Sequence, residues 1–372
     1  MNLKNLSRYT RVDIEKTRLV QAALEKEDIV ELRSYLIKAD VCFDAAFSEP
    51  LVKFCPKCRK KYPESENFCL ECAETLKEIR DVNVKDIEIK PKFICRGSRT
   101  LNDFGQILSD ENLEMIASAD FDIEKIALKI KRSALRRLDK TIKENDILLS
   151  ELKILDKIIL FAKSFVEMEY KSYGPELGIY QFNKIFIDDR QLDVLQITTL
   201  IHELTHFLVK EILTQILCVM LDSKKTTELE SVVTFIMSYS PLNQLVDEYA
   251  AHTVEGRFTL YGYQDYSSFL SIEKTIDIAR EDIEMLKTIG NSFANVIKNI
   301  LESFINDKLL GEIKDKFRAE IMDQPDYNNL RLENCTLLNN EGFKQAIILI
   351  LAEGFAVAMD NVETLESYNR MW

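Results

Sequence analysis

The sequence predicts an α+β fold that is predominantly α-helical, and three observations lead there. Only 10 Gly and 7 Pro punctuate 372 residues, which predicts long helices with short connections. Apolar residues recur at helical spacing over most of the chain. Extended signals are confined to an alternating run between Glu78 and Lys92 and to Ile179–Ile187, rich in aromatic and β-branched residues. With 46% hydrophobic and 30% charged residues, the chain has the composition of a folded protein with a substantial core.

Taken in order, residues 1–50 read as an N-terminal helical segment, with Leu19, Ala22, Leu24, Ile29, Leu32, Leu36 and Ile37 near 3.6-residue spacing. Residues 51–78 break that pattern around a cysteine cluster, and 79–108 read as a linker or extended segment containing Val82, Val84, Ile87 and Ile89. Residues 109–372 form the main domain. Helical periodicity runs from Ser109 to Tyr170, then Gly174, Pro175 and Gly178 precede the Ile179–Ile187 strand. Asp188, Asp189 and Asp193 are N-cap candidates for the next helix. Helix continues to the C-terminus, with loops expected at Gly256–Ser268 and Gln324–Asn329, and no internal repeat.

The net charge of −13 argues against a chain whose main task is wrapping nucleic acid. The first residues lack an apolar signal region, and apolar runs such as Leu213–Leu221 and Ala346–Ala352 are shorter than the ~20 residues that span a bilayer. The expectation is a cytoplasmic protein without a membrane partner. Eight cysteines then point to metal binding plus free thiols rather than a disulfide scaffold.

Cys55-Pro56-Lys57-Cys58 is followed by Cys69-Leu70-Glu71-Cys72. Paired C-x-x-C knuckles can converge four thiolates tetrahedrally on Zn²⁺ with no open position, the donor set of a structural site. Such a site stabilises a module too small to stand on its own core. The segment 51–78 resembles a zinc ribbon. Lys57, Arg59, Lys60 and Lys61 form a small basic cluster that offers a weak nucleic-acid contact, although a solvated turn explains it better. Cys42, Cys95, Cys218 and Cys335 have no metal-ligand spacing and read as buried free thiols.

The catalytic signal is His202-Glu203-Leu204-Thr205-His206. On a helix, residues i and i+4 lie one turn apart on one face, so both imidazoles reach one metal and Glu203 stands at its flank. Ile197, Leu200, Ile201, Leu204, Phe207, Leu208 and Ile212 make an apolar stripe that predicts one anchored face, with the histidines on the other. The chain has only three histidines, and His252 is the third.

These motifs resemble the zincin metallopeptidases, and among them the gluzincins, over about residues 175–260. The resemblance implies a zincin-like domain whose third zinc ligand is a glutamate on a later helix, and whose edge strand, here Ile179–Ile187, binds extended substrate. Ile212 stands where a metzincin has its third histidine. Asp247-Glu248-Tyr249-Ala250-Ala251-His252 is similar to the third-ligand helix of intracellular metallopeptidases of the ImmA/IrrE type, with a longer gap after HExxH. It nominates Glu248 as ligand, with His252 as an orienting partner or alternative ligand. Glu353, in Glu353-Gly354-Phe355-Ala356, resembles another gluzincin signature and is a rival; Glu228 and Glu230 follow. Arg257, Tyr261 and Tyr263 are candidate oxyanion donors, with an aromatic-packed loop as the plainer alternative.

The expected function is therefore that of a peptidase containing two zinc ions, one structural and one catalytic. Its substrate is a peptide or protein, and Glu203 is the general base. Two alternatives stay open: a non-catalytic regulator or adaptor binding protein or nucleic acid, and a zinc hydrolase acting on a non-peptide amide.

Overall fold

The computed structural model describes residues 53–55, 57, 58, 60–62, 66–78, 83–171, 177–181, 183–259, 267–276, 279–320 and 336–370. The expected helix over 1–50, Pro56, Arg59, Val82, Gly174, Pro175, Tyr261, Tyr263, the Gln324–Asn329 loop, Cys42 and Cys335 lie outside them. In chain order the elements are β1 (Lys53–Phe54), β2 (Lys61–Tyr62), β3 (Lys77–Glu78), α1 (Phe104–Ile107), α2 (Asp110–Ser118), α3 (Ile123–Glu144), α4 (Ile154–Phe165) and β4 (Glu167–Tyr170). Then follow β5 (Gly178–Gln181), β6 (Lys184–Ile187), α5 (Asp193–Met220), α6 (Thr227–Tyr239), α7 (Pro241–Phe258) and α8 (Ser267–Glu273). The last four are α9 (Arg280–Leu301), α10 (Asp307–Glu320), α11 (Asn340–Asp360) and α12 (Val362–Asn369). Helix predominates over two three-stranded sheets, as the scarcity of Gly and Pro predicts.

Contacts divide the chain into two units, each assembled from separate stretches rather than the contiguous segments expected. The first takes the described residues of Met1–Pro91, Lys131–Glu167 and Ile300–Arg318. It holds the ribbon, in which β1 pairs antiparallel with both β2 and β3. After the ribbon, Asn83 caps a short 3₁₀ turn by accepting from Lys85 N. Ile87 and Ile89 are buried while Glu88 and Lys90 are exposed, the alternation that suggested a strand. The segment is extended but joins no ladder; buried Lys163 of α4 holds it by donating to the Val84, Lys85 and Ile87 carbonyls at 3.1, 2.7 and 2.9 Å. Phe161 and Phe165 of α4 pack on Phe304 in the same unit.

The second unit takes the described residues of Lys92–Ile130, Met168–Asn299 and Ala319–Trp372. Its sheet has the order β4-β6-β5. Ile179–Ile187 is thus not one strand but the hairpin β5–β6, reversed at Asn183, whose φ of 56° is a left-handed conformation that Asn adopts at low cost. The helical reading over 109–170 likewise ends early, because β4 occupies Glu167–Tyr170. Gly178 lets β5 lie close on α5, since a Cβ there would stand 2.4 Å from Thr199 Cγ2.

The site helix α5 is buried along nearly its whole length, so the expected single apolar face is too narrow a description. The histidine face is covered by α7, and the hairpin lies on another side. Its threonines pay no desolvation penalty: Thr198, Thr199, Thr205 and Thr214 each donate to the carbonyl four residues back at 2.8–2.9 Å. None of the three aspartates caps α5. Leu192 is the N-cap without a side-chain bond, Asp188 pairs with Arg190, and Asp193 lies in the first turn, where its charge suits the helix dipole.

α11 is 21 residues long with a mean hydropathy of 1.6 and, by length and composition alone, could cross a membrane, unlike the shorter runs read from the sequence. Half of its most apolar stretch is buried in the protein, where α11 packs against α2 and α6. Gly354 accounts for the close α11–α6 approach, since a Cβ there would lie 2.3 Å from Ile236 Cγ2. We expect Gly354→Val to cost about 1–3 kcal/mol through overpacking, while Glu353→Ala, at an exposed position, stays within roughly 0.5 kcal/mol. Urea unfolding of the two variants checks this contrast.

Candidate metal centres

In the first unit the four ribbon cysteines meet. Their sulfurs all lie within 4.8 Å of one another, with Cys55 Sγ 3.5 Å from Cys72 Sγ. A tetrahedral zinc with Zn–S bonds near 2.3 Å places its sulfurs about 3.8 Å apart, so the donor set fits that ion. The backbone supports negative sulfur: Cys58 N donates to Cys55 Sγ at 3.2 Å. Burial opposes a Cys69 thiolate, yet the Tyr62 hydroxyl, 2.9 Å away, and neighbouring backbone donors bring its pKa down to about 6. Each knuckle is closed by the chain's own turn, with Cys55 N donating to Lys60 O and Cys69 N to Glu74 O. Lys60 of the basic cluster is engaged by Glu71 at 2.5 Å.

In the second unit α5 brings His202 and His206 against Glu248 and His252 of α7. His202 Nε2 is 3.1 Å from His206 Nε2 and 3.7 Å from Glu248 Oε2; His206 Nε2 is 3.8 Å from Glu248 Oε1. Zinc–nitrogen bonds of about 2.0–2.1 Å put tetrahedral ligand nitrogens about 3.3–3.4 Å apart. The histidine pair is close to that span, and the glutamate lies slightly beyond it.

Carboxylates stand behind the rings. Glu255 Oε2 bonds His202 Nδ1 at 2.9 Å and lies 3.4 Å from His252 Nδ1; Asp247 Oδ1 is 3.1 Å from His206 Nδ1. An outer carboxylate at Nδ1 favours the tautomer whose Nε2 lone pair faces inward, the arrangement of metal-binding histidines. At 3.1 Å the two Nε2 atoms either share a proton in an N–H···N hydrogen bond or, with both lone pairs facing inward, need a cation between them. Asp247 is anchored in turn by buried Lys210, whose Nζ is 2.9 Å from Oδ2 and 4.9 Å from the Tyr180 ring centre.

The field is strongly negative. Burial works against a charged His202, but Glu248 and Glu255 hold its imidazole well above the ordinary histidine range. His206 is raised in the same way, by Asp247 and Glu248 against its burial. Burial likewise opposes the charged forms of Glu255 and Asp247; His202 and His252 hold the first low, and Lys210 and His206 the second. Buried carboxylates in such number need protons, lysines or a metal to balance them.

Glu203 flanks the cluster, and its Oε2 accepts from Tyr180 N of β5 at 2.7 Å. The other candidates are elsewhere. Glu353 is exposed on α11, and its Gly354 neighbour serves helix packing, which removes the rival signature. Glu230 pairs with Lys225 at 2.7 Å and accepts from Asn183, while Glu228 sits in the first turn of α6. Gly256 lies inside α7, so the expected loop begins later, and Arg257 occupies the helix's last turn.

Sequence reasoning overlooked Asp247, Glu255 and Lys210. Two of them carried a legible signal: Glu248, His252 and Glu255 share one face at i, i+4 and i+7, and Lys210 follows His206 by four. It also overlooked a thiol pair, since buried Cys95 and Cys218 hydrogen-bond to each other, which brings Cys95 to about 7 against its burial. Comparison with known proteins finds no matching family model, no matching curated protein and no matching solved structure.

Removing Lys210 leaves Asp247 buried among carboxylates without its cationic anchor. We expect Lys210→Met to reduce the unfolding free energy by on the order of 3–5 kcal/mol, measured by urea denaturation followed by circular dichroism.

Proposed function

We propose that this chain is a zinc-dependent peptidase with a zincin-like, gluzincin-type centre, and that the ribbon holds a second, structural zinc. The observation that carries the reading is the convergence of His202, His206 and Glu248, with Glu203 beside them and a carboxylate near each outer ring nitrogen. His202, His206 and Glu248 would hold the ion, with Cys55, Cys58, Cys69 and Cys72 holding the other. When bound, the catalytic ion supplies a Lewis acid that acidifies a water and polarises a carbonyl.

The chain's own residues carry the proton work. Tyr180 N fixes Glu203 Oε2, so Oε1 takes the proton from the attacking water and later passes it to the leaving amine. Asp247 and Glu255 keep the imidazoles oriented, and burial excludes bulk water. The β5 edge offers backbone groups to an extended peptide, although it is short and commits its Tyr180 N–H to Glu203. A cytoplasmic setting fits the free thiols and the packing of α11 as a core helix.

The burial of the site also favours a second reading, a regulator or adaptor in which the ion is held without turnover. Glu203 and His206 are each only 8% exposed. Peptide-library cleavage separates these readings, and including non-peptide amides tests the hydrolase alternative. With any cleaved substrate, we expect Glu203→Gln to slow turnover by on the order of 10²–10⁴ or more while zinc content and folding persist. Cleavage at the wild-type rate would overturn Glu203's role.

Metal analysis gives a second check. We expect two zinc ions per chain, one resistant to chelation and one readily removed. Cys55→Ser should release only the resistant ion; a single zinc per chain after gentle purification would contradict the two-site reading.

A further inference from the structure

His252 has no part in a centre made of two histidines and a glutamate, yet its surroundings match those of a ligand. It is 6% exposed, and its ring centre is 4.7 Å from that of His202. The same Glu255 oxygen that bonds His202 Nδ1 lies 3.4 Å from His252 Nδ1. His202 Nδ1 bonds that oxygen and His252 Nδ1 is the ring atom of His252 nearest it, which leaves both Nε2 atoms for the Glu248 side. His252 Nε2 is 4.0 Å from Glu248 Oε2, the oxygen that also faces His202 Nε2. The candidate donor atoms of His202, Glu248 and His252 all fall within 4.8 Å of one another.

We propose that His252 is a fourth protein ligand of the ion at the HExxH helix, giving a centre of three histidines and one glutamate with Glu255 positioning two of the rings. The inference rests on the metal centre of the reading above and not on peptidase turnover. The spread of donor distances favours it. A tetrahedral centre asks for one common separation near 3.3–3.4 Å, whereas bonds of about 2.1 Å in a six-coordinate centre place adjacent donors about 3.0 Å and opposite donors about 4.2 Å apart. The separations of 3.1, 3.7, 3.8 and 4.0 Å fall in that second range, while His206 stands outside the 4.8 Å group formed by the other three and would close on the ion when it binds. Four protein donors leave room for water or substrate only if the ion accepts five or six ligands. The site therefore suits a divalent ion that tolerates mixed nitrogen and oxygen donors at expanded coordination.

The test uses the full chain. The weaker ion is stripped by mild chelation with the ribbon zinc retained, and Co²⁺ is added in its place. X-ray absorption should count three imidazoles on cobalt in the wild type and two in His252→Ala. Cobalt affinity in that variant should fall by more than the roughly 10–100-fold that follows loss of an orienting outer partner, the effect expected of Glu255→Gln. In His252→Gly, added free imidazole should restore the third imidazole and recover affinity, which a merely structural role would not produce. His252→Gln replaces the Ala variant if the latter loses its helical circular dichroism. An unchanged imidazole count, with affinity within about tenfold of wild type, overturns the fourth ligand and leaves the two-histidine centre standing. Failure of the wild type to bind Co²⁺ overturns that centre, and the proposal with it.

Discussion

The packing of α7 on the histidine face of α5 is the constraint from which the rest of the second unit follows. It sets Asp247, Glu248 and Glu255 against His202 and His206 in a space from which most water is excluded. Ionised carboxylates in such a place are costly unless each finds a proton, a lysine or a metal. Lys210 answers Asp247, and the imidazoles answer Glu255 and Glu248. What remains is an inward-facing set of nitrogen and oxygen donors with a surplus of negative charge. The same exclusion of water is what makes the cluster costly without a proton, a lysine or a metal to balance it.

Rigidity around the cluster comes from a second polar network, also buried. Lys225 pairs with Glu211 of α5 at 2.6 Å and with Glu230 of α6 at 2.7 Å. Glu230 accepts from Asn183 at the hairpin turn, and Asn183 accepts from the Tyr180 hydroxyl. Burial raises the Glu211 carboxyl while Lys225 pulls it back, and both glutamates lift Lys225 against its own burial. Through this chain the hairpin is tied to both helices, and its Tyr180 N–H is brought to Glu203. Glu203 is therefore positioned in part by residues of the hairpin and of α6.

The two candidate centres depend on the fold in opposite ways. The ribbon has strands of two residues each, and its small core consists of the cysteines, Leu76 and Tyr62. So little apolar burial cannot offset chain entropy alone, and its metal would be part of its folding energy. The histidine centre is held between long helices with an extensive core of their own. Any metal affinity there would draw on a preformed scaffold, because the entropy of arranging the donors is met by helix packing.

The local features were legible because local geometry creates them. Two C-x-x-C knuckles and an i, i+4 histidine pair need only a turn or one helix to bring their donors together, and few Gly and Pro determine a mostly helical chain. Period-two alternation, by contrast, appears in a ladder and in an extended segment pinned by Lys163, so the run before Lys92 was ambiguous. Composition did not reveal the reversal at Asn183 within one apolar stretch. The sequence nominated Glu248 over His252 and Glu353 only by resemblance and spacing, because the neighbours of the histidines depend on which helix packs on their face. Tertiary packing places α7 there and turns Glu353 outward where Gly354 meets Ile236. Donor types are written within one turn of helix, whereas the full cluster joins side chains more than forty residues apart, and only burial between packed helices brings those together.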